Sequence, residues 1–101
     1  MDYQKKSRFL YYLIPPRPTF VQDMTESERK IMQEHATYWK GLIDEDIAIV
    51  FGLVLDPKGP WGVGIIDVAG ESAARTVGTN DSAVKEGSLT FEAYPMPRIV
   101  L

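Results

Sequence analysis

The chain of 101 residues contains no cysteine and only one histidine. Without cysteine there is no disulfide framework, no thiolate metal site and no thiol nucleophile, which suits a cytoplasmic protein. One histidine leaves only carboxylates to complete a metal site. No segment has the spacing of a zinc or EF-hand site, so the expected metals and cofactors are none. A basic surplus is also missing: 11 Lys and Arg stand against 14 Asp and Glu, for a formal charge of −3. Lys5, Lys6 and Arg8 form only a small cluster, so nucleic acid is not expected as a partner. No stretch approaches the ~20 apolar residues of a membrane helix. The apolar run Phe9 to Ile14 is short for a signal-peptide core and stops at Pro15 and Pro16. The expectation is one soluble, intracellular domain over residues 1–101, with residues 1–7 a polar, frayed start.

What is present is organised around a single long helix signal, Thr25 to Asp46. At helical spacing Ile31, Met32, His35, Tyr38, Trp39, Leu42 and Ile43 share one stripe, and charged residues occupy the opposite face. Thr25 followed by Glu28 is a capping box. The only histidine therefore lies on the face that turns inward.

Before the helix, Arg8 to Ile14 reads as a strand apolar on both faces. Pro15, Pro16 and Pro18 then predict an extended, stiff connection reaching Met24. Its length exceeds the usual ~4 to 6 residues, and long ordered loops are often functional. After the helix, Ile47 to Leu55 is a nearly continuous apolar run and reads as a buried strand. Asp56-Pro57-Lys58-Gly59 has the preferences of a type I turn, which predicts a hairpin to a strand over Gly62 to Val68. Gly62 and Gly64 suggest a bulge or a close approach to the backbone, and they open a strand rather than a helix, which excludes a phosphate loop. Glu71 to Gly78 is a short helix, Asn80 or Asp81 caps a further turn from Ser82 to Glu86, and Gly87 suits its end. Leu89 to Tyr94 alternates as the last strand.

The order strand, helix, strand, strand, helix, strand fits an α+β, ferredoxin-like βαββαβ fold, a four-stranded antiparallel sheet with helices on one face. Two helices cover only one face, whereas the first two strands are apolar on both. A homodimer through the bare face is the simplest remedy. Tyr11 or Tyr12, Phe51 or its neighbours, and the last strand are expected at that interface, and the tail from Tyr94 to Leu101 is apolar enough to reach over to the partner. An RNA-recognition module shares the strand order, but it needs aromatic residues where the third strand offers Val63, Ile65 and Ile66, and is rejected.

The short first strand, the inward His35, Phe51 to Val54 (FGLV) and the segment Asn80 to Gly87 (NDSAVKEG) together resemble the YCII-related family over roughly Phe9 to Pro97. The resemblance implies a ferredoxin-like dimer akin to the dimeric α+β barrel proteins such as muconolactone isomerase, with a His and an Asp as the active-site pair. By position these are His35 and Asp81; the family's Asp-Pro motif reads Asp81-Ser82 here. The bland alternatives are a core histidine bonded to a backbone carbonyl and a carboxylate that merely caps a helix. Asp56 is either a turn residue or the second choice of partner for His35. Arg17 either decorates the loop or binds a substrate's negative charge. Phe20, Trp39 and Trp61 are core or interface residues, or platforms for a small planar ligand. By analogy with the barrel enzymes, the functional expectation is a cofactor-independent lyase or isomerase in which His35 moves a proton on a small cyclic or carbonyl-bearing acid. The alternative is a dimer that binds a metabolite without chemistry.

Overall fold

A computed structural model describes residues 6–97, with β1 (Ser7–Ile14) at the centre of the architecture. Along β1, Phe9, Tyr11 and Leu13 are buried while Leu10, Tyr12 and Ile14 are half-buried, the period-two signature of a strand with both faces apolar. Then follow α1 (Phe20–Asp23), α2 (Glu26–Asp44), β2 (Ala48–Val54), β3 (Trp61–Val68), α3 (Glu71–Thr79), α4 (Ser82–Lys85) and β4 (Thr90–Pro95). β1 pairs antiparallel with β3 and β4, and β3 pairs antiparallel with β2, giving the order β2-β3-β1-β4. This is the ferredoxin-like α+β arrangement.

The expected capping box starts α2: Thr25 Oγ1 accepts from the Glu28 amide at 3.1 Å, and Glu28 Oε1 accepts from the Thr25 amide at 2.9 Å. From this start His35, Trp39 and Leu42 turn inward. Ile43 does not: it is 40% exposed, because one residue past Leu42 the helix has rotated by about 100°. Trp39 is fully buried and lies over Gly64, where a Cβ would stand 2.8 Å from its ring. The glycine thus lets the indole rest on the sheet, stacked on Phe51 at 4.9 Å and edge-on to Tyr11 at 5.5 Å. Gly62 and Gly64 accordingly mark close approach, whereas the register shift lies on β2 between Ala48 and Val50.

Two expectations need correction. The connection from Pro15 to Met24 is not extended throughout; beyond Pro18 no further proline interrupts it, and amides of Gln22 and Asp23 turning back to the Thr19 carbonyl close α1 around the buried Phe20. β2 is an edge strand, not a buried one: Ile49, Val50 and Leu53 are 45%, 45% and 56% exposed, since only β3 flanks it. Of the side chains named for the interface, Tyr11 and Phe51 face the helices, whereas Tyr12 and Val50, a neighbour of Phe51, lie on the other side. The opposite sheet face carries Leu10, Tyr12, Ile14, Val50, Ile65 and Tyr94, and no helix of the described residues covers it. The hairpin turn forms as expected, with the Gly59 amide donating to the Asp56 carbonyl at 2.9 Å. The Met96 amide extends the β4 pairing by donating to the Arg8 carbonyl, and the tail beyond Pro97 lies outside the described residues. No described helix is long and apolar enough to cross a membrane.

Candidate functional site

The middle of α2 and the start of α4 meet at a buried pair. His35 Nδ1 lies 2.6 Å from Asp81 Oδ2, with the imidazole 4% and the aspartate 0% exposed. One helical turn along α2, Trp39 Nε1 donates to the same Oδ2 at 2.9 Å. The other oxygen, Oδ1, accepts the Ala83 amide at 2.9 Å, so Asp81 caps α4 as expected while it holds the imidazole. A carboxylate removed from water is tolerated only when its lone pairs are satisfied, and here three donors converge on two oxygens. Tyr38 adds a fastening: its hydroxyl donates to the Val77 carbonyl at 2.7 Å, tying α3 to α2 just ahead of Asp81.

The converging donors determine which nitrogen of His35 is free. With Asp81 ionised, its oxygens only accept, so Nδ1 carries a proton, and in the neutral imidazole Nε2 is the nitrogen with the lone pair. The ring sits edge-on to Phe51 at 5.2 Å and forms part of the wall of a cavity of about 290 Å³. Leu13, Phe51 and Leu53 line the sheet side of this cavity; Met32 and Ala36 line the α2 side. Phe20, Val21 and Met24 close it from α1 and the residues after it. His35 is the only titratable side chain on that wall among the described residues.

Not every expected site residue is here. Phe20 and Trp61 line the cavity. Trp39 does not: it lies beneath His35 in the core and serves Asp81 rather than a ligand. Asp56 is away from His35; it accepts the Trp61 indole N–H at 3.1 Å and the Lys58 amide at 2.9 Å, holding the hairpin turn. Arg17 is also off the wall. Its guanidinium pairs with both oxygens of Glu28, at 2.7 and 3.0 Å, and with Asp23 Oδ1 at 2.8 Å, and it lies 5.2 Å from the Phe20 ring centroid. Arg17 and the Thr25 amide hold the Glu28 carboxyl down to about 2, and the Thr19 hydroxyl together with Arg17 holds Asp23 below its usual value. The wall residues Met24, Met32 and Leu53 carry no chemical signature in a sequence. The role of Trp39 was readable in principle, four residues after His35 on the same helix face.

A YCII-related domain model matches residues 9–97. The chain belongs to the YCII-related family. Its fold is similar to that of a protein of unknown function from Nitrosomonas europaea, at 11% identity and a TM-score of 0.50, covering 97% of this chain and 96% of that one. No curated protein matches the chain.

Proposed function

We propose that this YCII-related protein is a small, cofactor-independent enzyme of lyase or isomerase type, in which His35 transfers a proton on a carbonyl-bearing substrate held in the cavity. The observation carrying this reading is the 2.6 Å contact of His35 with a fully buried Asp81 at the wall of an otherwise apolar cavity. Nε2 takes the proton from a carbon next to the substrate carbonyl, and the electron pair moves into the enolate. The imidazolium so formed is stabilised by Asp81, which Trp39 and the Ala83 amide keep in place. Return of the proton at another carbon completes an isomerisation; departure of a leaving group from the β-carbon completes an elimination.

The proposed setting is a cytoplasmic homodimer joined through the bare sheet face. A stable interface buries ~1,200 to 2,000 Å² in total, and two apolar four-stranded faces approach that range. One observation favours the alternative of a binding protein: the wall offers no second ionisable side chain among the described residues to steady an enolate oxygen, and the indole N–H of Trp61 is already given to Asp56. Proton exchange between carbonyl compounds and D₂O, measured with the wild type and with His35→Ala, separates the two. Exchange lost by ~10²-fold or more in the variant supports the enzyme. Binding without exchange in either chain leaves the binding protein.

A further inference from the structure

The charge of the ligand follows from what surrounds the cavity. The wall holds no lysine or arginine among the described residues, and Arg17, 5.2 Å from the ring of the wall residue Phe20, already faces two carboxylates, Asp23 and Glu28. Behind His35 stands Asp81, so with the imidazole neutral the fixed charge next to the cavity is negative. Along the remainder of the wall are hydrocarbon, thioether and aromatic groups such as Leu13, Phe20, Met24, Met32, Phe51 and Leu89. A carboxylate entering this space gives up its water for no cation and meets the field of Asp81. An uncharged carbonyl group gives up far less, and its acidic hydrogen is what Nε2 accepts. The volume, about 290 Å³, lies just below the ~300 to 1,000 Å³ usual for ligand pockets, so the occupant is small.

We infer that the His35 cavity takes a small, uncharged, mostly apolar carbonyl compound, and that it discriminates against the corresponding carboxylic acid anion. This deepens the proton-transfer reading and rests on it for the role of the carbonyl, but the charge preference stands on the wall and on Asp81 behind His35. Arg17, held by Asp23 and Glu28, takes no part in the selection by charge.

The test uses acetophenone and benzoate, a matched aromatic ketone and carboxylate, titrated into the full chain at pH 7.5. Binding is followed by the methyl resonances of Met24 and Met32, both on the cavity wall. Acetophenone is expected to shift both methyls and to bind at least tenfold more tightly than benzoate. Arg17→Met is expected to preserve that ratio, and Leu53→Lys, at a half-exposed wall position that tolerates a charge, to raise benzoate affinity severalfold. Benzoate binding as tightly as acetophenone, a ratio that collapses in Arg17→Met, or no shift with either compound overturns the inference. Exchange of the acetophenone methyl protons with D₂O is read in the same tubes. Selective binding without exchange removes the proton-transfer reading and leaves the charge preference standing.

Discussion

Replacing Asp81 by Asn keeps the shape of the side chain and exposes how much the site depends on an acceptor-only group. In the native chain three N–H donors point at the carboxylate: His35 and Trp39 at Oδ2, Ala83 at Oδ1. Asparagine supplies one carbonyl oxygen and one amide that donates, so either orientation sets a donor against a donor. With its oxygen toward His35 and Trp39, the Ala83 amide loses its cap, a cost of ~1 kcal/mol, and an unsatisfied buried donor adds ~1 to 3 kcal/mol. With its oxygen toward Ala83, the amide faces the imidazole, which then accepts at Nδ1 and carries its proton on Nε2, while the Trp39 indole is left without an acceptor. Either way the variant is expected to lose about 2 to 4 kcal/mol, which for a domain of this size lowers Tm by roughly 8 °C or more. In the second orientation Nε2, the proposed base, carries the proton and can no longer accept one. Urea unfolding measures the first effect, and imidazole ¹⁵N shifts report the tautomer. Unchanged stability together with an unchanged tautomer would refute the account of the triply bonded carboxylate.

The remaining predictions concern packing, acid stability and assembly. Gly64→Ala places a Cβ 2.8 Å from the Trp39 ring and should destabilise by ~1 to 3 kcal/mol on denaturant unfolding, with an altered near-UV spectrum. Because Glu28 in the folded chain sits at about 2, below its ordinary 4.5, the stability it contributes is present above pH 4.5 and is lost as pH falls towards 2. Glu28→Gln should therefore flatten the acid limb of a stability–pH profile, and an unaltered limb would show that Arg17 does not hold that carboxylate in solution. Val50→Asp, on the bare sheet face, should convert a sedimenting dimer into an 11.4 kDa monomer with unchanged helix content; a monomeric wild type would dispose of the dimer altogether.

The secondary structure was legible wherever a local rule acts alone. The α2 stripe, the Thr25–Glu28 box, the Asp56–Gly59 turn and the alternation in β1 each depend on residues within one turn or one strand. What escaped depends on partners distant in the chain. The exposure of β2 is set by its place at the sheet edge, which an apolar run cannot announce. Arg17 looked free because its partners, Asp23 and Glu28, become neighbours only after α1 folds back on the start of α2. Trp39 reads equally as a core residue or a ligand platform because indole rings serve both purposes, and only the approach of Asp81, from 42 residues away, shows it in the core. Asp81 was picked out through resemblance to a family rather than by any spacing, since its separation from His35 follows no helical or strand period.

The clamp on α1 gives the cavity two walls of unequal stiffness. One wall is made by α2 and the sheet, whose side chains interlock in the core around Trp39. The other, carrying Val21 and Met24, hangs from Arg17 through ion pairs at the surface, where salt screens the attraction and each contact is worth little on its own. A ligand slightly too large for the space is accommodated by displacing the tethered wall, since the other yields only by breaking the core. On the proposed reading, the size range of the ligand is therefore set from the surface, by a tether that lies off the cavity wall, and should widen as ionic strength rises, while discrimination by charge stays as the wall sets it.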